Sequence, residues 1–235
     1  MLCDEVCAIA AQEIFPRLSH TEALELAERS YRVFHDCYGA IAEYATQIGE
    51  DPIATRQRMF THYHALLFEL LEQRHPNFFD HTSGTSDVLA RTSSGLFENA
   101  ILSHSCMEGW GIPALTKMGI LEHFKPHLVW GMDNYAFERK YENSNPMKRM
   151  IEASGYPPER IIFIEDSWKN TRPAFEDFGI KVALIHYDRP APSPHPEGVR
   201  WISSTPADLM ETLEREFALS DLSNASNLGK HTPKG

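Results

Sequence analysis

The sequence predicts an α/β protein. It has a helical block over residues 1–95, a core of strands and helices over 96–220 with a mostly parallel sheet, and a polar tail over 221–235. Three observations carry this. The stretch Arg160-Ile161-Ile162-Phe163-Ile164-Glu165-Asp166-Ser167-Trp168-Lys169-Asn170 runs four apolar residues straight into two carboxylates. Such a β-branched and aromatic run reads as a strand buried on both faces, as in parallel sheets. From Asn99 onward, short apolar runs alternate with segments of helical periodicity, which implies parallel strands joined by right-handed crossovers. Before Asn99 the apolar stripes repeat at helical spacing.

Taken in order, Val6, Ile9, Ala10, Ile14 and Phe15 form the first helical stripe, ended by Pro16. Ser19-His20-Thr21-Glu22 is a capping box that opens a helix through Leu24, Ala27, Tyr31 and Phe34. Gly39 interrupts it, and Ile41, Tyr44 and Ile48 continue. Asp51-Pro52 places a capping carboxylate and a first-turn proline before Met59, Phe60, Tyr63, Leu66, Leu67 and Leu70. His62 and His64 lie two apart, so they do not share a helix face. A short helix around Ser86 to Arg91 is expected to end at Gly95.

In the second part, Ala100-Ile101-Leu102, Leu128-Val129-Trp130, the 161–164 run, Val182 to Ile185 and Arg200 to Ile202 read as strands. Helices are expected over Ile112 to Met118, Pro146 to Ala153, the segment after Asn170 that stops at Gly179, and residues 206–218. The proline-rich segment from Asp188 to Gly198 reads as a loop. The tail from Asp221 is expected to be disordered.

A net charge of −11 argues against non-specific binding to nucleic acid or an anionic membrane, which needs a basic surface. No apolar run approaches the ~20 residues that span a bilayer. The amino terminus lacks the basic and apolar regions of a signal peptide. Cys3, Cys7, Cys37 and Cys106 lack zinc-site spacing and read as reduced thiols. A cytoplasmic location is the expectation.

Three strand-end signals then line up. Ser103 ends one strand and is followed by His104, Lys140 lies in the loop after another, and Glu165 and Asp166 end a third. Ligands of open α/β sheets bind at such ends. A hydroxyl, an ammonium and an acid pair are the parts of a phosphate site: donors for phosphoryl oxygens, a cation for their charge, and carboxylates for a hard cation such as Mg2+. Each also has a plain reading, as a strand cap, a surface charge or a helix-capping loop.

The order and spacing resemble the haloacid dehalogenase-like (HAD) hydrolases, and more narrowly their pyrimidine 5′-nucleotidase-type branch, whose helical cap precedes the second motif. Ser103 in Ile101-Leu102-Ser103-His104-Ser105 matches the family's second motif, and Lys140, followed here by Tyr141 instead of proline, matches the third. Glu165-Asp166-Ser167-Trp168-Lys169-Asn170 matches the fourth closely. The resemblance implies a Rossmann-like core with an N-terminal helical cap and Mg2+-dependent hydrolysis of a phosphomonoester. It implies a small phosphorylated metabolite, such as a nucleoside monophosphate, as partner. It also implies roles: Ser103 and His104 for phosphate binding, Lys140 for phosphate binding and charge stabilisation in catalysis, Asp166 for the metal, Glu165 and Asn170 for support of the metal loop.

One departure weighs heavily. Family phosphatases carry an Asp-x-Asp on the first strand, ahead of the cap: one Asp attacks phosphorus, the other moves the leaving-group proton. Asp4-Glu5-Val6 does not supply it. The first core strand and its nucleophile are therefore expected to be missing ahead of Met1, leaving the chain impaired as a phosphatase. The alternative is a catalytically inactive HAD-like binding or regulatory protein. A dehalogenase proper would need the same Asp, and the Glu165-Asp166 pair favours the metal-dependent branch.

Overall fold

The computed structural model describes residues 2–34, 36–80, 84–93, 97–135, 137–140, 143–187 and 189–228, with side chains to residue 217. The elements run α1 (Leu2–Ile14), α2 (His20–Arg29), α3 (Gly39–Gln47), α4 (Pro52–Arg74), α5 (Thr85–Ser93), β1 (Asn99–Leu102), α6 (Ile112–Lys117), β2 (Phe124–Trp130), α7 (Asn145–Ser154), β3 (Ile162–Glu165), α8 (Trp168–Glu176), β4 (Lys181–Ile185), β5 (Val199–Ser203) and α9 (Pro206–Leu228). Short π-helical turns at Ser30–Phe34 and Met107–Gly111 extend α2 and precede α6. The expected helix stop at Gly95, the Tyr141 position, the loop start at Asp188 and tail residues 229–235 lie outside the described residues.

The chain forms two compact units, Met1–Thr82 with Glu98–Arg139, and Ser83–Phe97 with Lys140–Gly235. In the first, α1 to α4 form a helical layer whose inward stripes supply Val6, Ile41, Met59 and Phe60, all essentially buried. Each such large side chain contributes about 1.5–3 kcal/mol on burial. The predicted caps form: Ser19 and Glu22 close a capping box, and Asp51 Oδ1 accepts from Ile53 N at 2.8 Å. Gly39 opens α3 where a Cβ would overlap the Phe34 ring, so the chain breaks and restarts there. β1 and β2 pair in parallel, Ile101 opposite Val129 and Leu102 opposite Trp130.

The second unit holds a three-stranded parallel sheet in the order β3-β4-β5. Its register sets Ile162 opposite Lys181 and Glu165 opposite Leu184. Ala183, Ile185, Trp201, Leu209 and Leu213 form its core, so the stripe of α9 packs on β4 and β5. Strands thus fall into two parallel sheets among the described residues, β1-β2 and β3-β4-β5, each with its own edges. The last helix also outruns expectation. It continues to Leu228 in place of a disordered segment from Asp221, on a stretch with no proline or glycine before Gly229. Among the described residues no helix is long and apolar enough to cross a membrane.

Candidate functional site

In the first unit, Ser103 directly follows β1 and is held at several points. Its N–H donates to the Trp130 carbonyl at 2.9 Å. Its Oγ lies 2.8 Å from Ser105 Oγ and accepts from Ser105 N at 3.1 Å. The hydroxyl of Tyr135, a fully buried residue, donates to the Ser103 carbonyl. His104 is half-buried in the same turn. The neighbouring strand-end loop presses close, with Met132 N on Ser105 O at 3.1 Å. A Cβ on Gly131 would overlap that same carbonyl, so only glycine permits the approach.

Three other residues in this unit have structural duties. Asp133 accepts from the Met107 N–H at 3.0 Å and caps the turn before α6. Arg139 donates to Asp36 Oδ2 at 2.5 Å in a mostly buried ion pair, and Asp36 in turn accepts from Gly39 N at the start of α3. Trp110 packs on Phe68 and Phe79, an apolar use of the ring.

In the second unit, the strand-end acids stand where the sequence predicts. The apolar β3 ends at Glu165, and α8 begins three residues later. Lys140 is no solvated charge: it is 7% exposed. Its Nζ donates to Glu165 Oε2 at 2.5 Å and lies 5.4 Å from the Phe163 ring centre. Asn170, in the first turn of α8, donates Nδ2 to Glu165 Oε1 at 3.1 Å. The Asp166 N–H reaches that same oxygen at 3.3 Å. Both oxygens of Glu165 are therefore engaged, and Lys140, Glu165 and Asn170 form one network around a nearly buried ion pair.

Asp166 faces outward. Arg189 Nη2 donates to Asp166 Oδ2 at 2.9 Å and to the Asp166 carbonyl at 3.3 Å. Burial pushes the Asp166 carboxyl up, but contacts with Glu165 and the Arg189 guanidinium outweigh it and hold it below the usual carboxylate range. It is thus ionised at neutral pH. Arg189 was not legible as a site residue, because it sits in the loop after β4 and meets Asp166 only through strand pairing.

Among the described residues, no three His, Cys, Asp or Glu side chains gather closely enough to hold a metal ion. The donor set fits a different mode. Mg2+ keeps several waters and is commonly held by one or two carboxylates plus substrate phosphate, not by an all-protein cage. An ionised, half-exposed Asp166 beside a rigidly held Glu165 suits that mode.

The sequence matches no family model and no curated protein. Solved structures do match. The Bacillus subtilis protein YfnB, assigned as a HAD-hydrolase and bound to magnesium, superposes with a TM-score of 0.56 at 13% identity, over 90% of this chain and 91% of that one. The L-2-haloacid dehalogenase RSc1362 gives 0.50 at 15%, over 88% and 91%. A dehalogenase with an intermediate complex gives 0.50 at 12%, over 88% and 90%. At these identities the likeness is one of architecture: the chain has the α/β fold of the HAD-like hydrolases.

Proposed function

We propose that this chain is a HAD-like phosphomonoester hydrolase scaffold that uses Mg2+, impaired as it stands because it lacks a recognisable nucleophile. The observation that carries the reading is the strand-end network, in which Lys140 and Asn170 fix Glu165 while the ionised Asp166 next to it faces outward. On this reading Asp166 holds the cation, which would neutralise phosphoryl charge when bound. Glu165 and Asn170 keep the Asp166 backbone in place. Ser103, whose hydroxyl is oriented by Ser105, and His104 bind the phosphoryl oxygens. Lys140 supplies positive charge from behind Glu165. The substrate class is a small phosphorylated metabolite, such as a nucleoside monophosphate. The helical stretch at 1–95 is read as a cap domain and residues 96–220 as the core, in a cytoplasmic protein.

The missing-strand reading draws support from the edge of the second sheet. Among the described residues β3 pairs with β4 alone, although its Ile-Phe-Ile run suits a strand with neighbours on both sides. Ile164 is 48% exposed. An apolar parallel edge leaves unpaired N–H and C=O groups beside an uncovered side chain.

The second reading, an inactive binding or regulatory protein, is favoured by the depth of Lys140, whose ammonium is engaged by Glu165. Hydrolysis of para-nitrophenyl phosphate by the purified 235-residue chain, with and without Mg2+, separates these readings. The impaired-hydrolase reading expects weak Mg2+-dependent turnover above the uncatalysed level, whereas the binding-protein reading expects Mg2+-dependent phosphate binding with no turnover. Robust Mg2+-dependent hydrolysis that Asp166→Asn abolishes would overturn the impaired half. Absence of both binding and turnover would overturn the whole.

A further inference from the structure

Two cations of different kinds answer the acid pair. Lys140 meets Glu165 where the side chains are only 8% and 9% exposed. Arg189 meets Asp166 where they are 60% and 52% exposed. The guanidinium grips both the carboxylate and the main-chain carbonyl of Asp166.

A built turn delivers the arginine. β4 lies beside β3 in parallel, so their carboxyl ends finish on the same side of the sheet, with Glu165 opposite Leu184. Past the end of β4, His186 N donates to the Ser203 carbonyl at 3.0 Å, which ties the turn to β5. Arg189 N donates to the His186 carbonyl at 3.0 Å, and His186 Nδ1 meets the Arg189 carbonyl at 2.5 Å. A carbonyl only accepts, so Nδ1 carries the proton. Tyr187 adopts a φ of 49°, a left-handed backbone that a residue with a side chain keeps only when its surroundings hold it there. An arginine that merely faced solvent would need none of these restraints.

We propose that Arg189 is the resident counter-ion of Asp166: it stands where a divalent cation binds and leaves that carboxylate when the cation arrives. The inference rests on the reading of Asp166 as the metal-holding carboxylate. Exposed ion pairs are weak, so the exchange opposes metal binding only modestly. A hard divalent cation carries twice the charge and prefers carboxylate oxygen. The Lys140–Glu165 pair does not exchange, because removing its cation strands a buried charge. One acid is thus permanently answered by protein and its neighbour exchangeably.

The test is a titration of metal-free protein with Mn2+, reading free Mn2+ by electron paramagnetic resonance, on the parent chain and on Arg189→Ala, Arg189→Lys and Asp166→Asn. The expected result is Mn2+ binding about two- to fivefold tighter in Arg189→Ala than in the parent. Arg189→Lys should lie between them, since lysine keeps the charge without the planar fork. Asp166→Asn should lose the site. Unchanged or weaker binding in Arg189→Ala, with Asp166→Asn still abolishing it, overturns the proposal and leaves Asp166 as the metal carboxylate. Binding in neither the parent nor Arg189→Ala, or binding unaffected by Asp166→Asn, overturns the reading of Asp166 and the proposal with it. Circular dichroism of each variant confirms a folded chain, and the exposed Arg189 side chain makes its loss tolerable.

Discussion

Replacing Lys140 with methionine keeps the length and apolar stem of the side chain but removes the cation from Glu165. The carboxylate then stays where it is 9% exposed, with Oε2 deprived of the ammonium now 2.5 Å away. Removing one partner of a buried ion pair costs about 3–5 kcal/mol, because the survivor is an uncompensated buried charge. The low end applies, since Oε1 keeps Asn170 Nδ2 and the Asp166 N–H. A loss of about 3 kcal/mol in a chain of this size lowers the melting temperature by about 6–12 °C. Arg189→Ala is the internal comparison. Its pair with Asp166 is exposed, so it should cost only about 0–1 kcal/mol. Urea unfolding followed by circular dichroism measures all three chains. The double variant Lys140→Met/Glu165→Gln should recover about half or more of the loss, because a neutral amide needs no counter-charge. If Lys140→Met loses less than about 1 kcal/mol, or the second substitution recovers nothing, the network is not an energetically coupled unit and the argument from burial fails.

Gly131→Ala should destabilise by about 1–3 kcal/mol, because the new Cβ meets the Ser105 carbonyl, a backbone atom that cannot swing away; an unchanged melting curve would contradict this. Native-state labelling with a thiol reagent near pH 8 should modify Cys3 quickly and Cys7, Cys37 and Cys106 slowly, since only Cys3 is exposed. Burial pushes the Cys7 thiol up to about 12, and its Sγ donates to the Cys37 carbonyl at 2.9 Å, which requires the protonated form. The unfolded chain therefore releases this proton first. Stability should fall as pH rises above about 8.5, by up to about 1.4 kcal/mol per pH unit from this group, and Cys7→Ala should flatten that alkaline slope. At the acid side, burial pushes the His64 imidazole down despite the Phe60 carbonyl and Asp133 nearby. The unfolded chain gains a proton first as pH falls below about 6.5, so stability drops from there toward the lower folded value. His64→Gln should remove that part of the acid slope, as pH-dependent urea midpoints will show.

Local patterning determined much of this protein. The capping box at Ser19 and Glu22, the Asp51-Pro52 helix start, the apolar run ending in two acids and the Gly155 stop (φ 69°) each depend on residues within a turn or a strand. Asn170 meets Glu165 across only five positions, one step from strand end to first helical turn. Tertiary structure alone decided which cation meets which carboxylate. Lys140 reaches Glu165 across 25 positions and Arg189 reaches Asp166 across 23. The first meeting depends on burial of Lys140 beside Phe163, the second on the β3-β4 register. Likewise, no local signal marked Tyr135 as the donor that pins the Ser103 carbonyl, or β3 as the end of its sheet among the described residues. A sequence pattern shows which surfaces a residue prefers, whereas pairing order and burial are properties of the whole chain, set only when distant segments share the same space.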